Sequence, residues 1–405
     1  MLSLLRRPGF RRLLVGQGVS ALGDWMGTFA FMALALSLTG SPSAVGGVLA
    51  LRLLPAALGG PLAARAASRW DRRHTMLTMD TTRAVMIALV PLVRALWWLY
   101  LWAFLVEVAS LVFLPARDAS IPDLVDDDQL ATANGLVLGS SYVTIPLGAA
   151  VFAVVSALPL ADALERPHAL VFWLDAASYV VSFALIARVY ELLPRSAHAA
   201  APVEEPVRFR EAFAIPLVRA VVPAAAAVAV GLGALFSLGI VYVRDVLDAS
   251  DTEFGWLVAL FGVGAAGGLA MLQSGPAFDP LRRTRIGVAT IGVVVAAFSL
   301  APWLWLAYLG AVAFGGAAAY TLASGMGLLQ ARLDGRERVL AFAAFHVVIR
   351  VGLAAAAVGA GAAGDLVESV HWPVVGRLAP SRLVLLCSGV LVLCSATLVR
   401  ERRKE

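Results

Sequence analysis

The stretch FRRLLVGQGVSALGDWMGTFAFMALALSL, residues 10–38, decides the fold. Two arginines stand near its start, and from Leu13 to Leu38 the only charged side chain is Asp24. A helix needs about 20 apolar residues to cross the hydrocarbon core of a bilayer, and this run exceeds that. It is also too long for the apolar region of a secretory signal, so no cleaved leader is expected. A helix is the expected form, because in lipid every backbone N–H and C=O has to be satisfied within the segment.

Eleven further apolar stretches follow, at 44–64, 75–93, 95–114, 130–158, 169–189, 218–243, 254–274, 286–300, 303–330, 339–364 and 383–399. Hydrophobic residues make up 60% of the chain and the mean hydropathy is +0.84, well above the range of a soluble domain. The expected fold is an all-α integral membrane protein with twelve transmembrane helices in two pseudo-symmetric six-helix bundles.

The arginines orient these spans. Counting those before span one, after every even-numbered span and around the central connection, 24 of the 32 basic residues fall on one side. Only Arg94, Arg166, Arg244, Arg377 and Arg382 fall on the other. Basic residues stay cytoplasmic, so both termini are expected inside, and an odd number of spans would destroy the alternation. The net charge of +5 is therefore a record of topology, and no nucleic-acid partner is expected.

Composition shifts at the centre. Residues 191–213 hold Pro194, Pro202, Pro206, Glu204, Glu205, Arg208 and Arg210 with little apolar periodicity. This reads as a cytoplasmic linker, 191–216, between a bundle at 1–190 and another at 217–405. Gly60-Pro61 followed by Asp71-Arg72-Arg73 is matched in the second half by Gly275-Pro276 followed by Asp279, Arg282 and Arg283. Similar loops at matching places imply an internal duplication, the architecture in which transporters bind substrate near the midplane between halves.

Several motifs continue the reading: Phe10 to Leu14, Gln17 to Asp24, Thr39-Gly40-Ser41-Pro42, Leu54-Pro55 and Gly60-Pro61-Leu62-Ala63 through Arg69 to Arg73. Asp80 with Arg83-Ala84, Pro115-Ala116-Arg117, Ile121 to Leu124 and Leu130 to Gly135 follow. Together they resemble the major facilitator superfamily, and within it the branch of macrolide-efflux pumps and the enterobactin exporter. The motifs cover the first half; the second half matches mainly in helix pattern. The resemblance implies secondary transport by alternating access. Two positions depart from it. Ser68 stands where the signature loop normally has an Asp, and Ile145 stands where the helix-five motif has Gly before Pro146. Both bear on whether the usual proton coupling is kept.

Charges within spans carry most of the functional information, because each is costly in lipid unless paired or wetted. Asp24 is about 12 residues, and Arg52 about 13, from the cytoplasmic ends of their spans. At about 1.5 Å of rise per residue both lie near the midplane. They are candidates for a midplane pair in which Asp24 changes protonation, with a permanent structural ion pair as the alternative. Arg83 and Glu107 lie deeper toward the cytoplasm, with Asp80 one turn from Arg83 at i and i+3. With Asp71, Arg72, Arg73 and Arg117 at the mouth, they form a candidate cytoplasmic latch, the alternative being a role in folding and topology. Trp25, Phe29, Asn134, His346 and Arg350 are candidates for a substrate cavity. An aromatic beside a mid-membrane acid suits an amphipathic or cationic substrate, though core packing explains Trp25 and Phe29 equally well. Asp175 reads as an outer gate or a wetted surface residue. Gly135 and Gly139, Gly264 and Gly268, and the glycines from Gly352 to Gly364 read as close helix contacts. Trp97, Trp98, Trp102, Trp303 and Trp305 read as interfacial anchors, and Cys387 and Cys394 as two small packing residues too far apart to bridge.

No histidine has a set of metal-ligand companions, no nucleotide-binding loop is present, and no nucleophile elbow is present. Neither cofactor nor enzymatic chemistry is expected. With nearly all the chain committed to the bilayer, transport would draw on a gradient. The expected function is a proton-coupled exporter of small amphipathic molecules, monomeric, in a bacterial cytoplasmic membrane, its partners being substrate, protons and membrane lipids. A lysophospholipid flippase and a receptor or scaffold without transport are the alternatives.

Overall fold

The computed structural model describes residues 2–58, 70–159, 166, 168–190, 209–274, 279–369 and 379–399. Twelve long helices occupy the expected spans among them: α1 Pro8–Thr39, α2 Pro42–Leu58, α3 Arg72–Leu89, α4 Leu96–Ser120, α5 Leu130–Ser156 and α6 Ala169–Ile186. Then follow α7 Pro216–Asp245, α8 Asp251–Ser274, α9 Pro280–Ser299, α10 Leu304–Arg332, α11 Gly335–Ser369 and α12 Pro380–Ser395. Nine stretches of the described residues are long and apolar enough to cross a membrane by length and composition alone. The helices left out of that nine have local reasons. Helix α2 is described only as far as Leu58, α3 carries Arg72, Arg73, Asp80 and Arg83, and α9 carries Arg282, Arg283 and Arg285.

The two halves of the chain start their third helix in the same way. Asp71 caps α3 by accepting the His74 N–H at 2.7 Å. Asp279 caps α9 by accepting from Leu281 and Arg282 at 3.1 and 3.2 Å. Each carboxylate satisfies N–H groups that have no partner within the helix and meets the positive end of its dipole. Helix α3 then packs on α4 and α6, and α9 packs on α10 and α12, the same relation in each half. Tryptophans crowd the start of the fourth helix both times: Trp97 and Trp98 on α4, Trp303 and Trp305 at α10, stacked at 6.0 Å in the second case. Shared caps, shared packing and shared aromatic ends support duplication of one six-helix unit.

Arginines also close helix ends. Arg72 donates to the Ala119 carbonyl at 2.6 Å, at the last turn of α4. Arg73 donates to Ala187 and Arg12 to Arg188, both just past α6. Arg338 donates to Leu333 beyond α10, and Arg382 to Ala301 beyond α9. The last carbonyls of a helix lack intrahelical donors and carry the negative end of its dipole, so a guanidinium there satisfies both.

By contacts the chain divides into two compact units, Met1–Leu38 with Pro55–Val203, and Thr39–Leu54 with Glu204–Glu405. The first part of α2 thus groups with the later helices. Within the first unit a core of Phe10, Leu13, Met76, Phe113, Ile121 and Ile186 ties α1, α3, α4 and α6 together near the basic ends of these helices. Within the second, α8 and α10 touch through glycine. A Cβ on Gly264, Gly268 or Gly315 would overlap the backbone of Val312, Gly316 or Phe261 respectively. Without a hydrophobic drive between helices in lipid, close backbone approach supplies the dispersion contact. Gly135 and Gly139 do not work this way: among the described residues nothing lies within 4 Å of a Cβ built on either. Cys387 and Cys394 are both exposed on α12 and are not packing residues; being a heptad apart, they share one outward face.

Candidate functional site

Asp24 sits midway along α1, half-buried, and accepts a hydrogen bond from the phenol of Tyr179 on α6. Tyr179 is fully buried. The Arg83 guanidinium lies over its ring at 4.4 Å, and over the Phe113 ring of α4 at the same distance. The cation is thus held between two aromatic faces, where the ring quadrupoles attract it. Arg83 pairs with Asp80 one turn below on α3, as the i, i+3 spacing implies, and donates to Ser110 Oγ at 3.3 Å. Asp80 is 0% and Arg83 3% exposed. In so dry a place the pair is bound less by its own net energy than by the cost of separating it, because removing one partner strands the other.

This constellation joins residues that sequence reasoning had linked, Asp80 and Arg83, to three that it had not: Tyr179, Ser110 and Phe113. A tyrosine at mid-depth in an otherwise apolar span is the signal that was there to find. Glu107 lies half-buried on α4, one turn from Ser110.

Asp175 corrects its expected place. It is 0% exposed rather than a wetted surface residue. Its carboxylate lies against α1, where a Cβ on Gly23 would stand 2.5 Å from Oδ1 and a Cβ on Gly27 would stand 3.2 Å from Cγ. The two glycines form a notch that no side chain could share, and Asp24 lies between them in sequence. Asp175 is also one turn from Tyr179 on α6, so the two face the same way.

The remaining candidates separate. Asp71 is the α3 cap. Arg72 pairs with Asp123 at 2.8 Å as well as closing α4, and Arg73 closes α6. Arg117 pairs with its neighbour Asp118. Near the start of α1, Asp126 holds the Arg7 guanidinium above its ordinary value, chiefly through their hydrogen bond. Trp25 is half-exposed, with its ring 6.2 Å from that of Phe29, which is itself fully buried against Phe152. Gly148 of α5 abuts the Trp25 Cβ. Asn134 on α5 and Arg350 on α11 are exposed. Arg52 is buried on α2, in the Thr39–Leu54 segment of the second unit, whereas Asp24 belongs to the first. The side chain of His346 and the loop holding Ser68 lie outside the described residues.

A family model described as Major Facilitator Superfamily matches residues 13–357. The chain belongs to this superfamily. Its major facilitator fold makes it a multi-pass membrane protein. Among relatives, the uncharacterized MFS-type transporter YfiS of Bacillus subtilis (strain 168) is 26% identical over 275 residues, 64% of this chain and 62% of that protein. The uncharacterized MFS-type transporter Rv0037c of Mycobacterium tuberculosis (strain ATCC 25618 / H37Rv) is 28% identical over 149 residues, 35% of this chain and 34% of that protein. The matches thus span less than two thirds of these relatives' lengths. Among solved structures, a bacterial homolog to the human lysosomal transporter Spinster, in an inward-facing and unoccupied conformation, aligns with a TM-score of 0.78 and 16% identity. It covers 97% of this chain and 96% of that one. The nucleoside transporter NupG aligns at 0.73 with 12% identity, covering 96% and 97%. At such identities the likeness is one of fold.

Proposed function

We propose that this protein is a secondary transporter that exports small amphipathic molecules in exchange for protons, as in the macrolide-efflux and enterobactin-exporter branch its N-terminal motifs resemble. The expected setting is a bacterial cytoplasmic membrane, with both chain ends inside and the chain acting as a monomer. Membership of the superfamily and the names of its relatives support transport. One observation carries the rest of the reading: Asp24, an acid midway along a membrane-spanning helix, is tied by Tyr179 to the buried Arg83–Asp80 pair. An intramembrane ionisable group is expensive and marks an ion or substrate path. A change in the protonation of Asp24 alters the load on Tyr179, whose ring supports Arg83, so a proton reaches the packing of α1, α3, α4 and α6 by direct contact. The half-exposed indole of Trp25 beside Asp24 suits a substrate with an apolar body and a positive charge.

The test uses purified protein in proteoliposomes with an imposed pH gradient and a fluorescent lipophilic cation as probe. Wild-type protein should move the probe only while the gradient lasts. The Asp24→Asn variant should fold normally and lose that dependence. Movement of labelled lysolipid in place of the cation would shift the reading to a flippase, and movement of neither would leave a receptor or scaffold. Normal gradient-driven transport by Asp24→Asn would remove Asp24 from the mechanism.

A further inference from the structure

Four helices of the second unit, α7, α8, α9 and α10, enclose a cavity of about 40 Å³. Its walls are Leu, Val, Ala, Gly and Phe throughout, with Phe254, Phe298 and Phe314 almost wholly buried. Protein interiors are normally packed as closely as organic crystals. A single water needs roughly 10–15 Å³ of such space and at least two polar partners, and these side chains offer none. The cavity is thus large enough for water and too apolar to hold it.

The space is kept at a cost. Gly264 and Gly315 are glycine because the backbones of α8 and α10 touch there. Gly239 on α7 faces the cavity under no such demand. Among the described residues, a Cβ there would meet only the Phe254 ring, at an ordinary 3.6 Å. Glycine within a helix is less stable than alanine, so Gly239 preserves volume where packing does not ask for it.

Position and charge name the occupant. The cavity is neither sealed nor flat, and it lies toward the helix ends remote from the arginine-rich loops, from Leu232 to Gly239 on α7 and near the start of α8. Its wall residue Phe298 packs on Tyr242 with ring centres 5.1 Å apart, and the Arg382 guanidinium of α12 lies 5.6 Å from the Tyr242 ring centre. Tyr242 donates to the Phe298 and Ala301 carbonyls at 3.1 and 2.7 Å, and Arg382 donates to Ala301 at 3.0 Å. A cation is therefore fixed beside one end of an apolar slot. This complements a molecule with an alkyl tail and an anionic head, and guanidinium–phosphate contacts are among the strong charge-assisted ones. A membrane protein is bathed in such molecules. We propose that the cavity takes the acyl chain of an anionic phospholipid whose phosphate sits at Arg382. The site is built from the second unit alone, whereas the Asp24 cluster belongs to the first, and it does not depend on what the protein exports.

The test places the purified full-length chain in phosphatidylcholine nanodiscs doped with phosphatidylglycerol that carries a photoactivatable diazirine at the end of one acyl chain. After illumination, mass spectrometry maps the labelled residues. Wall residues of α7 to α10 should be labelled above the exposed apolar residues of α4 and α6. Excess unlabelled phosphatidylglycerol should deplete the wall label first. Gly239→Leu fills the slot and should bring wall labelling down to the surface background; Ala311→Val serves if that variant does not fold. Arg382→Gln, or the same diazirine chain on phosphatidylcholine, should label the wall less. Wall labelling no higher than the surface, or equal from the two lipids, would overturn the proposal. Displacement of the wall label by a lipophilic cation would overturn it too, by making the slot part of the substrate path.

Discussion

The Tyr179 phenol donates to Asp24 across the seam between α1 and α6, while the face of the same ring carries the Arg83 guanidinium. One side chain thus reads two charges on different helices. Tyr179→Phe keeps the ring and deletes the hydroxyl. A hydrogen bond to a charged group is worth about 1.5–3 kcal/mol of stability, so Tyr179→Phe should unfold more easily by up to about that much, and gradient-driven transport of a lipophilic cation should fall roughly tenfold or more. Equal transport rates for the two proteins would remove the phenol from the coupling path.

Arg83 and Asp80 should be inseparable in stability and replaceable together. Arg83→Met leaves the Asp80 carboxylate stranded at 0% exposure, and losing one member of a buried pair costs about 3–5 kcal/mol. The double variant Arg83→Met, Asp80→Asn should recover much of that loss in a detergent thermal-unfolding assay while remaining defective in transport. A double variant as unstable as the single would mean that Asp80 is not the partner that matters.

Arg73 and Arg336 offer a contrast between two kinds of arginine. Arg73 closes the end of α6, whereas Arg336 pairs with Glu211 at 3.0 Å with 72% of its side chain exposed. Arg73→Ala should cost about 1–2 kcal/mol, the upper range for a cation at a helix C-terminus. Arg336→Ala should cost less than about 1 kcal/mol, and less still in high salt. Comparison of unfolding midpoints at low and high ionic strength distinguishes them.

Glycine should matter by location. Gly264→Val drives a side chain into the Val312 backbone of α10, and overpacking of this kind costs about 1–3 kcal/mol, sometimes more. Gly139→Ala meets open space among the described residues and should leave the unfolding temperature unchanged or slightly raised, because alanine favours helix more than glycine does. The two variants measured side by side check the assignment.

The helical frame was legible because a bilayer fixes the length and polarity of each span, so hydropathy and breaks alone locate the described ends of α1 to α12 to within about six residues. The Asp80–Arg83 pair was legible because it is local, one turn of one helix. Tyr179, Ser110 and Phe113 were not: they reach Arg83 from two other helices, and no spacing along the chain encodes that meeting. Asp71 was read for its charge, while its position before α3 makes it a cap; the matching Asp279 was a clue of the same kind. Gly23 and Gly27 were visible as small residues on α1, but the carboxylate filling the gap between them comes from about 150 residues away, beyond the reach of a local pattern. The side on which Cys387 and Cys394 lie is not legible either, because a small residue in an apolar span carries no sign of its face, and α12 turns both outward.

The arginines that finish α4, α6 and α10 stand in the first turns of α3 and α11, among the basic residues expected to orient the chain during insertion. Moving the charge of Arg73 a few positions away along the sequence would preserve the orienting signal and still fray α6, and neutralising it would weaken both at once. The same few cations would then carry two tasks, so a change of charge at these positions should be felt in insertion and in helix integrity alike.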